Sequence, residues 1–282
     1  MPSIAFVTDS TAYIPADLVA KYDIRVAPQV LIWGEEQLLD GVDITPSQFY
    51  ERLKNSNVNP TTSQVAVVKF KEILEPLVAA GRPVVMQLVS DKLSKTLQSA
   101  AMARDMLPAA KIEIVDSEAT AMALGFQVLA AARAAAEGKS FEDVVAIAKK
   151  ARELTGVLFV VDTLEYLHRG GRIGGASKLF GPALNIKPLL ELRGGRIEPI
   201  EKVRTKAKAT ARLLDVLEER LAGRRPVRLS SIHAAAEEEA RALLEQAKKR
   251  FQPIEALSAD ASPVVGTHAG PGTVGLAYSV EL

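Results

Sequence analysis

The sequence predicts an α/β protein in which a mostly parallel N-terminal sheet is followed by a second α/β domain with a mixed sheet. Over residues 1–155, short apolar segments alternate with helical segments, which is typical of a parallel sheet covered on both faces. From Gly156 onward, glycine-rich turns and closely spaced strand candidates replace this alternation. A chain of 282 residues can bury two cores of ordinary size. We therefore expect domains at residues 1–155 and 156–282.

Composition limits what the chain can do. Charged residues make up 24% of the chain and the formal net charge is +1, so no overall field favours nucleic acid or an anionic membrane. The absence of cysteine excludes disulfides, iron–sulfur clusters and thiolate zinc sites, and suits a reducing cytoplasm. Residues 1–10 lack an export signal, and charges interrupt every apolar run before membrane-spanning length. We expect a globular cytoplasmic protein without stable membrane insertion.

The first domain opens with the strand candidate Ser3–Val7, which runs into a polar turn and a helix. Asp9 and Ser10 are placed to cap that helix, because their side-chain oxygens accept hydrogen bonds from its free N–H groups. The segment Asn55–Ser63 is predicted to be a polar loop. The remaining strand candidates are Val26–Ile32, Pro83–Val89 and Lys111–Val115, and the remaining helices begin near Ile44, Val65, Ser94, Ala119 and Ser140.

The second domain ends in Val264–Tyr278, where two apolar strand candidates flank a turn around His268. Three glycines and a proline in this turn let another backbone or a ligand approach closely. An ordinary hairpin turn, with a histidine that forms local hydrogen bonds, explains the same pattern. The other predicted elements are a strand at Gly156–Val161, a helix at Asp162–Ile173, a strand pair at Leu189–Leu192 and Arg196–Val203, a helix at Thr205–Leu221, a strand at Val227–Ile232 and a helix at Glu237–Phe251.

Polar clusters lie where several predicted strands end. They are Thr8–Ser10, Thr61–Gln64, Leu93–Thr96 and His268. Ligands of α/β proteins bind at the carboxyl ends of the strands, so these hydroxyl, N–H and imidazole groups are candidates to bind an anion together. Taken singly, each hydroxyl cluster also fits an ordinary helix cap.

Catalytic and cofactor motifs are weaker. A dyad of Ser94 and His268 is typical of hydrolases, but it needs an acid partner, and the G-x-S-x-G pattern is absent. The three histidines lack metal-ligand spacing, which disfavours a metal centre. Gly270, Gly272 and Gly275 match a dinucleotide fingerprint, yet the chain ends before a helix and second strand could follow. No P-loop pattern occurs, and no cofactor is expected.

Basic residues are concentrated in one segment of the second domain. An ordinary solvated surface explains them, and so does a docking surface for an acidic or phosphate-bearing partner. Few aromatic residues accompany them, so single-stranded nucleic acid is a poor fit. These residues are Arg169, Arg172, Lys178, Lys187, Arg193, Arg196, Lys202, Arg204, Lys206 and Lys208.

Taken together and in order, the motifs resemble those of the DegV family of bacterial fatty-acid-binding proteins. The combination spans almost the whole chain and is more specific than any one member. The matching segments are Val7–Thr11, Thr61–Gln64, Leu93–Thr96, Val115–Ser117, Gly170–Ile173, Asn185–Pro188, Val203–Thr205 and Gly266–Gly272.

The resemblance implies a two-domain DegV-like fold with one long-chain fatty acid buried between the domains. By this resemblance, Thr62 and Ser94 hold the carboxylate by hydrogen bonds, with His268 close by. Residues expected near this site are Ser63, Lys95 and Gly270. Lys95 departs from the family, which usually has glycine there, so its side chain either adds a charge near the head group or points outward.

The resemblance also implies a protein partner. Family members deliver the fatty acid to a separate ATP-dependent fatty acid kinase, which phosphorylates the carboxylate for phospholipid synthesis. Arg204 would face that kinase, together with Arg172. The residue before Arg204 is Val203, where the family has alanine.

Elementary energetics agree with such a lipid-binding function. Burying roughly fourteen methylenes at about 0.8 kcal/mol each yields about 11 kcal/mol before association costs. The buried carboxylate needs several donors, and His268 would donate a hydrogen bond or, if protonated, supply the countercharge. We therefore expect a non-catalytic carrier. The alternatives are a serine-dependent acyl hydrolase or acyltransferase that uses Ser94 and His268, and a sensor of another amphiphilic carboxylate.

Overall fold

The structure, a computed structural model, describes residues 3–179 and 186–281, so Asn185 of the matching segments lies outside the described residues. The described strands are β1 (Ala5–Asp9), β2 (Ile24–Ala27), β3 (Val30–Trp33), β4 (Glu36–Leu39), β5 (Thr61–Ser63), β6 (Val84–Leu88), β7 (Ile112–Asp116), β8 (Thr155–Val160), β9 (Lys187–Arg193), β10 (Arg196–Val203), β11 (Val227–His233), β12 (Glu255–Asp260) and β13 (Val274–Val280). The described α-helices are α1 (Ala16–Lys21), α2 (Pro46–Asn55), α3 (Val67–Ala79), α4 (Thr96–Asp105), α5 (Ala121–Ala136), α6 (Phe141–Ala151), α7 (Glu165–Arg169), α8 (Lys206–Leu221), α9 (Glu237–Phe251) and α10 (Pro263–Ala269).

The first sheet contains four parallel strands in the order β2-β1-β6-β7. Every residue of the central strands β1 and β6 is buried, as expected for a parallel sheet covered on both faces. Because the strands are parallel, the polar segments that follow β1 and β6 lie at the same edge of the sheet. The prediction of a parallel N-terminal sheet is confirmed.

The second sheet contains six strands in the order β10-β9-β8-β13-β11-β12. Strands β11 and β12 are parallel, whereas the other neighbouring pairs are antiparallel. Strands β9 and β10 form the predicted pair around Gly194 and Gly195, both of which have the positive φ that such a tight turn requires. The expected mixed sheet is confirmed.

Helix α5 lies between these two sheets. It contacts β1 and β6 on one side and β8, β11 and β13 on the other. Nearly all of its side chains are buried, which explains why its sequence is apolar on every face. One hydrophobic cluster therefore joins Phe6 and Val85, Leu124 of α5, and Val157 and Ala277 of the second sheet. The boundary near residue 155 stays a prediction.

A third, antiparallel sheet has the order β4-β3-β5 and corrects two expectations. Val26–Ile32 is not one strand: Pro28 separates β2, in the first sheet, from β3, in the third. Proline lacks the N–H group that a continuous ladder needs. The predicted loop at Asn55–Ser63 also ends in a strand, because Thr61–Ser63 pairs with β3, with Leu31 opposite Thr62.

The stretch around His268 is also corrected. Its first half, predicted as a strand, is the helix α10, and His268 lies in the last turn. Ser262 caps this helix by accepting from Val265 N, and Pro263 occupies the first position, where it suits a helix. Gly270 ends the helix with a φ of +79°. The second half forms β13, as predicted.

Two smaller expectations also change. The segment Asp162–Ile173, predicted as a helix that ends in a glycine-rich turn, begins its helix only at Glu165 of α7, and Gly170 and Gly171 form the turn. Asp9 caps the 3-10 turn Ser10–Ala12 rather than α1, which begins after Pro15. Among the described residues, no helix combines the length and apolar character needed to cross a membrane.

Candidate functional site

An apolar cavity lies where the three sheets approach one another. Its volume is about 1090 Å³ when its open mouth is included. Groups from the first sheet's polar edge, from β5, from β8 and β10, and from α10 line it, so the site depends on segments distant in sequence. The apolar lining includes Val89, Leu93, Val157, Phe159, Leu192, Ile197, Ile232 and Val264.

The structure brings the three predicted carboxylate-binding residues to this cavity. Thr62, Ser94 and His268 all line it, and each is half-buried. Thr62 Oγ1 lies 2.8 Å from His268 Nε2, so the hydroxyl and the imidazole share a hydrogen bond. A cavity wall that is mainly apolar in area therefore carries these three hydrogen-bonding side chains, two of which are bonded to each other.

Antiparallel pairing positions Thr62. In β5, Thr62 lies opposite Leu31 of β3, whose buried side chain anchors the third sheet. Thr61 is exposed, whereas Thr62 and Ser63 are half-buried and line the cavity. Helix α10 contacts β5, which places His268 beside Thr62.

Burial makes His268 a neutral side chain. Desolvation, and then the positive charge of Arg172, lower the pKa of His268 to about 4. Near neutral pH the imidazole is therefore uncharged, so His268 does not supply the countercharge that its protonated form would provide. Its Nδ1 is buried without a hydrogen-bond partner in the described part of the chain.

Gly170 makes room for this imidazole. A Cβ atom at Gly170 would lie 2.1 Å from His268 Nδ1, far inside van der Waals contact. Gly170 has a φ of −77°, which any residue adopts, so the close approach and not the backbone angle requires glycine. The glycine-rich end of α7 thus serves the placement of His268.

Ser94 is held by the loop that follows β6. Ser94 N donates to Ser90 O at 3.0 Å, and Ser94 Oγ lies 2.9 Å from Thr96 Oγ1. Ser94 Oγ also accepts from Thr96 N at 3.3 Å, which forms a local serine turn just before α4. The N-cap residue of α4 is Lys95, so Ser94 lines the cavity without being the cap of this helix.

The neighbouring residues divide between the cavity and its surroundings. Ser63 and Lys95 line the cavity, and the Lys95 ammonium lies 3.8 Å from Asp91 Oδ2 at an exposed position. Gly270 is not part of the lining: it packs against Tyr166, where a Cβ would lie 2.3 Å from Cδ2. Of the residues expected near the site, two thus line the cavity and Gly270 shapes its surroundings.

Arg172 also lines the cavity. Its Nε donates to Leu93 O at 3.0 Å and its Nη1 to Gly170 O at 2.7 Å. Partial burial lowers the pKa of Arg172, but a guanidinium stays charged at neutral pH. Arg204, by contrast, is exposed beyond the end of β10. The predicted docking role of both arginines stays a prediction. Arg172 places a positive charge in the same cavity wall as Thr62 and His268.

Two buried acidic groups fix the polar edge; sequence reasoning treated Asp9 as a helix cap and missed Asp40. Asp9 is fully buried and accepts from Val89 N at 2.7 Å and from Thr11 Oγ1 at 2.7 Å, which ties β1 to the loop after β6. Burial raises the pKa of Asp9. Asp40 accepts from Ser10 Oγ at 2.6 Å, and burial raises the pKa of Asp40 to about 6. The sequence indicated Asp9 as a helix-cap candidate, whereas the only sequence feature at Asp40 is the turn-like pair that it forms with Gly41.

The described residues offer little for metal or hydrolytic chemistry. In residues 3–179 and 186–281, no group of three or more histidine, aspartate and glutamate side chains could hold a metal ion. His268 Nε2 faces Thr62 rather than Ser94, and no acid orients Nδ1 within these ranges. The geometry of a Ser94–His268 dyad with an acid partner is therefore not present there.

Fold and site together define an α/β protein with a large apolar cavity and a neutral polar cluster at its wall. The family model described as "Uncharacterised protein, DegV family" matches residues 3–281. The chain belongs to the DegV family. A DegV domain-containing protein of Streptomyces coelicolor is 40% identical over 278 residues, covering 98% of both chains. Protein DegV of Bacillus subtilis is 34% identical and covers 98% of this chain and 99% of its own.

Solved structures of relatives have the same fold. A DegV family protein of Thermus thermophilus superimposes with a TM-score of 0.93 at 33% identity, over 99% of this chain and 100% of the relative. DegV of Bacillus subtilis does so with a TM-score of 0.91 at 33% identity, over 100% of both chains. Both structures are described as those of fatty-acid-binding proteins.

Proposed function

We propose that this chain binds one long-chain fatty acid in the apolar cavity and presents its carboxylate to a separate ATP-dependent fatty acid kinase. The observation that carries the proposal is the Thr62–His268 pair, which lines a mainly apolar cavity together with Ser94 and Arg172. The fatty acid binding described for the relatives from Thermus thermophilus and Bacillus subtilis supports the same ligand class.

The polar cluster suits a carboxylate. A carboxylate removed from water needs several hydrogen-bond donors, because an unpaired buried charge is very costly. The hydroxyls of Thr62 and Ser94 can each donate one bond to the carboxylate, the Thr62 hydroxyl when its oxygen accepts the shared bond from the protonated Nε2 of His268. Arg172 supplies the positive charge that the neutral imidazole lacks. These groups orient the head group and discriminate against uncharged lipids.

The apolar wall suits an acyl chain. Side chains of the first and second sheets line the rest of the cavity, with Phe159, Leu192 and Ile197 contributed by β8, β9 and β10. At about 0.8 kcal/mol per methylene, tail burial outweighs what a few net hydrogen bonds contribute. The tail therefore dominates the affinity and the polar cluster fixes the direction of entry.

The kinase step needs no base from this chain. In the proposed reaction, a carboxylate oxygen attacks the γ-phosphorus of ATP, the new O–P bond forms, and the bond to the bridging oxygen breaks. ADP leaves with that electron pair, so no proton moves. A protein that only holds the carboxylate, without deprotonating it, is sufficient. The exposed Arg204, just beyond β10, is proposed to contact the kinase.

Native mass spectrometry and fatty acid titration test ligand binding. The purified chain is expected to carry a long-chain fatty acid, and the delipidated protein to take up palmitate or oleate. Ser94→Ala and His268→Ala are expected to weaken uptake roughly tenfold, because Ser94→Ala removes one hydrogen bond to a charged group and His268→Ala removes the partner that orients the Thr62 hydroxyl. A chain that neither carries nor takes up a fatty acid contradicts the proposal. Turnover of acyl esters that is abolished by Ser94→Ala would favour the hydrolase alternative.

Arg204→Ala separates partner docking from ligand binding. Because Arg204 does not line the cavity, the variant is expected to bind palmitate as the parent chain does and to lower the acyl phosphate yield with the cognate kinase. Lys202→Ala removes a neighbouring exposed charge and is the matched control. Equal loss of palmitate binding and of yield in Arg204→Ala would show that Arg204 acts on the ligand site instead.

A further inference from the structure

A second pocket adjoins the head-group cluster from the surface side. This outer pocket encloses about 660 Å³ with its opening. It shares Thr62, Arg172 and His268 with the acyl cavity, so these residues form a common wall. The other lining residues are Leu53, Asn59, Pro60, Thr61, Tyr166, Arg169, Gly170 and Thr267.

The outer pocket differs from the acyl cavity in chemistry. Two guanidinium groups, those of Arg169 and Arg172, line it, together with the amide of Asn59 and the hydroxyls of Thr61 and Tyr166. The hydrogen bonds of Arg172 use Nε and Nη1, which leaves Nη2 for a ligand. The acyl cavity lacks Arg169 and is lined mainly by apolar side chains. The outer pocket is therefore suited to an anion larger and more highly charged than a carboxylate.

We propose that the outer pocket binds the phosphoryl group of a fatty acyl phosphate, while the acyl chain remains in the cavity. This inference rests on the proposed function. Phosphorylation converts the carboxylate into an uncharged acyl carbonyl joined to a phosphate dianion, so the centre of negative charge moves outward by one group. Thr62 and His268 suffice for the carbonyl, and the dianion requires cations on the outer side of the same wall. Arg169 and Arg172 are placed there.

The guanidinium of Arg169 has partners that a phosphate could replace. Arg169 ends α7, hydrogen-bonds to Asn59 Oδ1, forms an ion pair with Glu165, and its guanidinium carbon lies 5.7 Å from the centre of the Tyr166 ring. The Glu165 side chain is 59% exposed, so water can solvate its carboxylate when a phosphate takes its place. Arginine binds phosphate oxygens through two parallel N–H bonds, which favours the dianion over a single surface carboxylate.

Matched ligands test the proposal without the kinase. Palmitate is compared with the β-ketophosphonate of the same acyl chain, in which a methylene replaces the bridging oxygen so that the probe cannot hydrolyse. The delipidated parent chain is expected to bind both. Arg169→Gln is expected to weaken phosphonate binding about tenfold or more and to change palmitate binding less than about twofold. Lys202→Gln, which removes a charge of the same sign outside the pocket, is expected to change neither.

A second variant guards against a folding defect. Asn59→Asp places a negative charge in the outer pocket without removing Arg169, and is expected to weaken the phosphonate selectively. Equal effects of Arg169→Gln on both ligands, or no effect on either, would overturn the assignment. If the parent chain binds palmitate but not the phosphonate, the inference fails and the proposed function stands. If it binds neither ligand, the proposed function fails as well.

Discussion

At the scale of single residues, His268 acts through its position and not through its charge. The hydrogen bond to Thr62 and the close fit against Gly170 fix the ring, and burial keeps it neutral. The residue type and its glycine-rich setting made His268 a candidate, but an ordinary hairpin turn explained the same pattern, and the resemblance was needed to place His268 with Thr62 and Ser94. Its protonation state was not predictable, because that depends on burial and on Arg172, which is distant along the chain.

Asp40 is the residue whose titration we expect to change stability near neutral pH. Burial raises its pKa from 3.8 to about 6, even though the Ser10 hydroxyl stabilises the carboxylate. A raised pKa in the folded state means that protonation favours folding. This stabilisation is complete below about pH 4 and is lost as the pH rises through about 6.

Asp40→Asn removes that dependence. Between about pH 4 and about pH 8, we expect the free energy of unfolding of the variant to rise relative to the parent by up to about 3 kcal/mol. Denaturant unfolding at the two pH values measures this difference. Asp17→Asn, at an exposed position in α1, is the control and should shift little with pH. A difference between Asp40→Asn and the parent that is the same at both pH values would contradict the assignment.

At the scale of elements, α10 shows why the local sequence pattern was insufficient to predict the type of secondary structure. Its apolar, β-branched residues predict a strand, whereas the Ser262 cap and Pro263 start a helix. A helix of seven residues has little stability of its own, so its contacts with α2, α7 and β5 decide the outcome. Strand β5 also depends on contacts distant in sequence, because Thr61–Ser63 becomes a strand only through pairing with β3.

Gly170→Ala tests how α7 and α10 position the imidazole. The added Cβ would meet His268 Nδ1, so we expect a loss of about 1–3 kcal/mol in unfolding free energy and weaker palmitate binding. In a His268→Ala background the clash is gone, so the same substitution should cost much less stability. Denaturant unfolding of the four chains of this double-mutant cycle gives the coupling energy.

Gly175→Ala is the matched control for that cycle. Its Cβ would meet only the side chain of Glu198, which can turn aside. It should therefore show no coupling to His268→Ala. A Gly170→Ala cost that is unchanged in the His268→Ala background would contradict the role assigned to Gly170.

At the scale of the whole molecule, the alternation of strands and helices predicted the parallel sheet, and its replacement after Gly156 by glycine-rich turns and closely spaced strands indicated a second domain of a different kind. It could not predict the third sheet, because β4 and β5 are short and form through pairing with β3. The meeting of Thr62, Ser94 and His268 was expected only from the resemblance, since three segments far apart along the chain build the cavity wall. Helix α5, enclosed by the first two sheets, joins these two sheets in one hydrophobic core.

A crystal structure of the chain loaded with palmitate would test the proposed binding site directly. We expect the acyl chain to fill the apolar cavity and the carboxylate to lie about 2.5–3.0 Å from Thr62 Oγ1 and Ser94 Oγ, next to His268. A carboxylate at the opposite end of the cavity, or a palmitate bound elsewhere on the chain, would contradict the proposed site.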